Sequence, residues 1–252
     1  MISSEDIEIK LKDSVKLPAS VKVHSLFLQQ DETFVLDSTD TTMKRIHADG
    51  KASPIVNVMD TSDYGRYHER SQSHAYVRAQ SIITFHEIGK FGGSRDFRMS
   101  LYETTSGTHV FKADNEHVSG GVPKAAIVGS QVVVGSTTQL WVYNKRGVEV
   151  KVVAVEIPEF CREGQVTYSK IKDLCGYDQY SVLLLHYDAV LRADLQTGHS
   201  KLVTRITPNA HSVECNKQYI FVGATSQFDF GRNENIILVV DRGSGKWHCR
   251  NR

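Results

Sequence analysis

Five short glycine turns recur along this chain, and each lies between two runs of strand-like residues. The turns read HADGK, ETTSGTH, NKRGVE, DLQTGHS and DRGSGKW, and their glycines are Gly50, Gly107, Gly147, Gly198 and Gly245. Successive glycines are 57, 40, 51 and 47 residues apart. Glycine suits a hairpin turn because it adopts a positive φ without steric cost. The spacing therefore predicts a repeated unit of four short strands.

The residues around each turn follow the same order of parts. A strand and a short turn lead to an apolar strand, and a polar break, a third strand, the glycine turn and a fourth strand follow. The apolar runs, such as SIITF, SVLLLHY and YIFVG, are short and rich in β-branched and aromatic residues. Such runs between turn signals are typical of buried strands. We predict an all-β fold.

One stretch carries a resemblance to a known family. GSTTQLWVYNKRGVEVKVV, residues 135–153, resembles the second half of a WD repeat: Trp141 occupies the position of the family's Trp, and Val142 stands where its Asp would be. FVLDSTDTTMKRIHADGK resembles an NHL-type blade equally well. The resemblance implies a β-propeller with degenerate, WD-like repeats, built of four-stranded antiparallel blades in a single domain over residues 1–252.

The number of blades depends on how the ends are assigned. Five repeats predict five blades, whereas dividing the long second repeat would give six. DIEIKLKDSVKLP resembles a fourth strand that leads into the first repeat, and KWHCRN resembles the fourth strand of the last one. Either segment could complete the final blade, since propellers remove exposed sheet edges by closure.

Composition narrows the class of partner. The net charge of +1 gives no basic field for nucleic acid, and no run approaches the roughly 20 apolar residues of a membrane span. MISSEDIEIK lacks the features of a secretory signal, so we expect a cytoplasmic protein.

The four cysteines are far apart in sequence with no C-x-x-C pair, which predicts reduced thiols in or near the core. We expect no metal and no cofactor.

The long insertions are predicted to emerge on one face. They comprise residues 59–74 and 156–168 between blades, and residues 87–97 and 225–235 within blades. All are rich in arginine and aromatic residues, which dominate protein interfaces. The candidate binding residues are Tyr64, Arg66, Tyr67, Arg70, Arg95, Phe97, Phe160, Arg162, Phe228, Phe230 and Arg232.

These features predict a non-enzymatic propeller that binds a protein or peptide on this face. Three alternatives remain open. The segments could be variable surface loops without function, the chain could be a propeller hydrolase or lactonase with a divalent cation in its channel, or exposed aromatic residues could stack on carbohydrate.

Overall fold

A computed structural model describes residues 17, 19–29, 32–37, 41–58, 73–91, 94–118, 123–158, 171–187, 189–206, 209–227 and 233–251. Within these residues, five four-stranded antiparallel sheets account for all the regular secondary structure. Neighbouring strands in each sheet are also neighbours along the chain, so every sheet is a simple meander. The predictions of an all-β fold and of five four-stranded repeats are confirmed.

Blades 1 and 2 lie in the first half of the chain. Blade 1 consists of β1 (Val23–Gln29), β2 (Glu32–Asp37), β3 (Thr42–Ile46) and β4 (Ala52–Asn57). Blade 2 consists of β5 (Ser73–Arg78), β6 (Ser81–Phe91), β7 (Ser94–Glu103) and β8 (His109–Val118). The second repeat is one sheet, so the alternative that divided it to give six blades is wrong.

Blades 3, 4 and 5 follow. Blade 3 consists of β9 (Lys124–Val128), β10 (Gln131–Gly135), β11 (Gln139–Tyr143) and β12 (Glu149–Ala154). Blade 4 consists of β13 (Ile171–Gly176), β14 (Ser181–His186), β15 (Ala189–Asp194) and β16 (Ser200–Arg205). Blade 5 consists of β17 (Ala210–Cys215), β18 (Tyr219–Gln227), β19 (Asn233–Asp241) and β20 (Trp247–Asn251).

The last blade takes its fourth strand from the C-terminal segment. β20 pairs with β19 from Val240↔Trp247 to Ile237↔Asn251. KWHCRN therefore supplies the fourth strand, as one of the two assignments predicted. The competing segment DIEIKLKDSVKLP lies almost entirely outside the described residues.

The chain forms two compact units. Blades 1 and 2 belong to one unit together with the turn Lys145–Val148, and blades 3, 4 and 5 form the other without that turn. The single domain expected from the sequence stays a prediction.

The core of the larger unit follows from the period-2 alternation of its strands. β14 is buried at all six positions, and its successive side chains point to opposite faces of the sheet. Val182 and Leu184 pack in a cluster with blade 3, whereas Leu183 and Leu185 pack in a cluster with blade 5. A strand covered on both faces favours apolar residues on both, which explains the continuous apolar run VLLL at its centre.

In the smaller unit, blades 1 and 2 also pack face to face. Phe34 and Met43 of blade 1 share a buried cluster with Val77 and Ile82 of blade 2, and the side chains of Phe34, Met43 and Ile82 have no exposed surface. Arg45 of blade 1 donates from Nη2 to the carbonyl oxygen of Thr104 at 2.8 Å, which adds a polar tie between the two sheets.

Candidate functional site

Within each sheet taken by itself, the predicted insertions belong to the same end of the strands. In each meander the second strand runs into the third at the end where the fourth strand also finishes. We call this the long-connection end. The intra-blade segments 87–97 and 225–235 join second to third strands, and the inter-blade segments follow fourth strands. Of the inter-blade segments, residues 59–72 and 159–168 lie outside the described residues.

In the described residues of blade 2, the second and third strands extend past the first. The last described pair of β5 and β6 is Ser73↔His86, whereas β6 and β7 remain paired as far as Phe91↔Ser94. β8 accompanies them to Val118, which pairs with Arg95. We call this three-stranded projection, residues 87–97 and 115–118, the blade 2 extension.

The prediction that residues 87–97 form a loop is therefore wrong. Phe91 pairs with Ser94, so two residues, Gly92 and Gly93, join the strands. Gly-Gly is among the residue pairs that favour a tight two-residue hairpin, and such a hairpin lets both strands continue. A register shift between Glu87 and Gly89 marks the point where the hairpin leaves the body of the sheet.

Phe97 was predicted to be an exposed binding residue, and this prediction is also wrong. It lies within β7, and its side chain has no exposed surface. Met99 and Leu101 follow on the same face by strand alternation, and both are buried as well. Phe97 therefore holds the base of the blade 2 extension and cannot touch a partner.

The opposite face of β7 is charged. Arg98 pairs with Asp114 of β8 through two contacts, from Nε to Oδ1 at 2.8 Å and from Nη2 to Oδ2 at 3.2 Å. Both side chains remain partly exposed, at 25% and 44%. A two-point arginine–carboxylate pair fixes the relative positions of β7 and β8 next to the blade 2 extension.

Blade 5 also has a lengthened hairpin. Its first strand pairs with β18 up to Ala210↔Ala224, whereas β18 and β19 stay paired to Gln227↔Asn233. Segment 225–235 is thus strand at both of its ends, which corrects the prediction of a loop there. Its central residues, 228–232, lie outside the described residues.

Of the candidate binding residues, Arg95 and Phe97 lie in described strands. Arg95 lies in β7 on the blade 2 extension, opposite Lys90 of β6. The remaining candidates lie outside the described residues: Tyr64, Arg66, Tyr67, Arg70, Phe160, Arg162, Phe228, Phe230 and Arg232.

No protein-family model matches the chain, and no curated protein matches it. Solved structures do. A chain of the nidogen/laminin complex is similar at 8% identity and a TM-score of 0.52, over 87% of this chain and 74% of that one. The uncharacterised protein lmo1340 from Listeria monocytogenes EGD-e is similar at 9% identity and a TM-score of 0.51, over 96% and 69%.

The extracellular domain of the hybrid two-component system BT4673 from B. thetaiotaomicron is similar at 11% identity and a TM-score of 0.50. That match spans 93% of this chain and 28% of the other. Likenesses at such low identity show the fold alone, and they agree with the five four-stranded meanders. The fold is a β-propeller.

At the other end of the propeller's blades, the connections are short and make polar contacts between blades 4 and 5. The guanidinium of Arg242 lies 3.7 Å from the ring centre of Tyr177, and that of Arg192 lies 4.7 Å from it. Arg242 donates to the carbonyl oxygens of Asn216 and Tyr177, and Arg192 donates to Asp178 at 2.8 Å. Since these donors are bound to the turns themselves, the cluster ties the turns of neighbouring propeller blades together.

Two cysteines lie next to this cluster along the chain. They were not predicted to meet, because they are far apart from each other in sequence. Cys175 of β13 and Cys215 of β17 are 40 residues apart in sequence, yet their sulfur atoms are 3.7 Å apart. Both are free thiols, with Cys175 buried and Cys215 partly exposed, which agrees with reduced thiols in or near the core. One sequence feature could have indicated the pair: each cysteine lies at or next to the end of the first strand of its blade, so the two occupy similar positions in consecutive repeats. Cys161 lies outside the described residues.

Two further predictions concern ligands and membranes. In the described part of the propeller, no group of three or more His, Cys, Asp or Glu residues is placed to hold a metal ion. Over the same residues, no helix is long and apolar enough to cross a membrane.

Proposed function

We propose that this β-propeller is a non-enzymatic scaffold that binds a protein or peptide through its long-connection end. The observation that carries the proposal is the unequal length of the blades at that end. In the described residues, blades 2 and 5 extend their second and third strands past the first strand. Blade 3 joins the same two strands through residues 136–138 alone. Projecting hairpins on a rigid β scaffold are a common position for binding residues.

The chemistry of this end suits a protein partner. The blade 2 extension carries Arg95, and the connecting segments contribute the remaining arginines and aromatic residues predicted from the sequence. Arginine combines a large contact area with several hydrogen-bond donors, and aromatic rings add rigid apolar area. The exposed Arg98–Asp114 pair adds charges of both signs that a complementary polar surface can match.

The outer strand of the blade 2 extension offers a second means of contact. In the described residues, β8 pairs on one side only, with β7, and its ten residues make it longer than the outer strand of any other blade. An extended peptide can add to such an edge through main-chain hydrogen bonds.

One of the structures with this fold is that of a complex between two proteins, nidogen and laminin, which accords with a protein partner in general. A cytoplasmic location remains part of the proposal.

Combined replacement of Arg66, Tyr67 and Arg232 by alanine tests the proposal. Each hot-spot residue contributes about 2 kcal/mol, so we expect partner affinity to fall by at least 30-fold, measured by quantitative capture and titration. We expect an unchanged melting temperature, because the changes are confined to the connections. Unfolding of the triple variant together with loss of capture would contradict the proposal.

The opposite end supplies the matched control. Tyr180, Lys217 and Lys246 are exposed and lie in the short turns of blades 4 and 5, so their combined replacement also removes one aromatic ring and two cations. We expect this variant to bind the partner as the natural protein does. Equal loss in both variants would place the binding surface elsewhere. A stoichiometric divalent cation in the purified protein would favour the hydrolase, and specific glycan binding would favour carbohydrate recognition.

A further inference from the structure

The first strands of blades 4 and 5 lie side by side in a fixed register. The carboxylate of Asp173, buried in β13, accepts a hydrogen bond from the backbone N–H of Val213 in β17 at 2.8 Å. Two residues further along each strand, Cys175 and Cys215 face each other with their sulfur atoms 3.7 Å apart. The register set by Asp173 therefore brings the two thiols together.

The surroundings of the two thiols differ. Cys175 has no exposed surface, and its hydrogen bond with Cys215, together with burial, raises its pKa well above the usual value. Cys215 is partly exposed, and its thiol also donates to the carbonyl oxygen of Gly176 at 3.0 Å. An oxidant from solution reaches Cys215 first, while Cys175 is positioned behind it as a second thiol.

We propose that Cys175 and Cys215 are a redox-active pair that a peroxide converts into a disulfide between blades 4 and 5. The sulfur of Cys215 attacks hydrogen peroxide, the O–O bond breaks, and a sulfenic acid and one water molecule form. The sulfur of Cys175 then attacks the sulfenic sulfur. The S–S bond forms, the S–O bond breaks, and the hydroxide leaves with the thiol proton as a second water.

The balance of this reaction is complete. Two thiols lose two protons and two electrons in all, and hydrogen peroxide is reduced to two molecules of water. The sulfur atoms must approach from 3.7 Å to about 2.05 Å, and β13 and β17 already contact each other across the two neighbouring sheets. A dithiol reductant converts the disulfide back into two thiols by thiol–disulfide exchange.

Peptide mapping tests the proposal directly. The reduced protein is treated with hydrogen peroxide, blocked with N-ethylmaleimide in denaturant and digested with trypsin. Cleavage after Lys172, Arg192, Arg205 and Lys217 places Cys175 in peptide 173–192 and Cys215 in peptide 206–217. We expect these two peptides to be joined, with a mass two hydrogen atoms below their sum, and dithiothreitol to separate them.

The background for this experiment is the C161S/C249S variant, which keeps only the proposed pair. We expect most of its molecules to form the cross-link and the melting temperature to rise by about 5–10 °C on oxidation, because the bond closes a loop of about 40 residues. The further change Cys215→Ser removes the partly exposed thiol and leaves the core intact. We expect neither cross-link nor thermal shift in that variant, and Cys175 should be recovered as its N-ethylmaleimide adduct, without oxidation.

Three results would overturn the proposal. The first is oxidation of Cys215 to sulfinic or sulfonic acid while Cys175 remains a free thiol. The second is an intermolecular disulfide in place of the internal one. The third is a rise in melting temperature on oxidation that persists after Cys215→Ser. None of these results depends on the proposed binding function.

Discussion

At the scale of single residues, the turn glycines are set by local backbone geometry and by the neighbouring blade. All five take positive φ, between 67° and 80°. Gly198, at φ 76°, also approaches the preceding blade: a Cβ there would collide with the carbonyl oxygen of Ala154. Its own carbonyl oxygen accepts a hydrogen bond from Glu156 N–H at 3.0 Å. Gly129, at φ 58°, has no atom within 4 Å of the same position.

Gly198→Ala is expected to be the more harmful of two matched substitutions. Positive φ costs a non-glycine residue about 1–2 kcal/mol, so Gly129→Ala should lose about that much stability. Gly198→Ala pays the same cost and also forces blades 3 and 4 apart, for a total of about 3 kcal/mol. Denaturant unfolding of both variants measures the difference. Equal losses would show that the approach of the two blades contributes nothing.

The carboxylate of Asp194 stabilises the same turn by accepting hydrogen bonds from its backbone. Its Oδ1 accepts hydrogen bonds from the backbone N–H groups of Thr197 at 2.8 Å and Gln196 at 2.9 Å. The bond from Thr197 is the main reason that the pKa of Asp194 lies below its usual value. A carboxylate with a lowered folded-state pKa stabilises the fold fully above its unfolded pKa of about 4. That contribution is lost as the pH falls through the folded value.

Asp194→Asn should therefore remove a pH-dependent part of stability. Asparagine keeps a hydrogen-bond acceptor for the turn but does not titrate. We expect the difference in melting temperature between the natural protein and Asp194→Asn to shrink as the pH falls from 7 to 3. Asp194→Ala should lower the melting temperature at both pH values, because it removes the acceptor. A difference that grows on acidification would contradict this assignment.

At the scale of strands, β7 shows how alternation separates buried side chains from partly exposed ones. Phe97 and Arg98 are neighbours in β7, yet one is fully buried and the other pairs with Asp114 on the partly exposed face. Replacing Phe97 by alanine should cost about 3–5 kcal/mol through the cavity it leaves. Arg98→Ala in the same strand is the control and should cost about 1 kcal/mol or less, because it removes only a partly exposed ion pair. Thermal unfolding of both variants decides whether Phe97 supports the fold or a binding surface.

At the scale of the whole molecule, the fifth blade depends on the C-terminal strand. A chain ending at Lys246 lacks β20 and leaves the edge of β19 without its neighbour, which favours aggregation. We expect its melting temperature to fall by about 5–10 °C. A matched chain that begins at residue 17 keeps every described strand and is the control. A larger loss in that chain would show that the N-terminal segment completes a blade.

Much of the fold was predictable because its signals are local. The five turn glycines marked the repeats, and all five adopt the positive φ that the turns require. The run SVLLLHY indicated a strand buried on both faces, as β14 is. The structure of the candidate site was harder to predict from the sequence. Segment 87–97 was predicted to be a loop within the blade, whereas β6 and β7 remain paired there as far as Phe91↔Ser94.

The sequence by itself determined the strand class, the repeat length and the positions of the turns, since each depends on residues within one hairpin. Only the tertiary structure decided that Cys175 meets Cys215 and that Arg242 reaches Tyr177. These contacts depend on which faces of adjacent blades meet and on the register between strands about 40 residues apart. The contacting faces and the register are both determined by how whole sheets pack, and the local conformational preferences of single residues do not determine them.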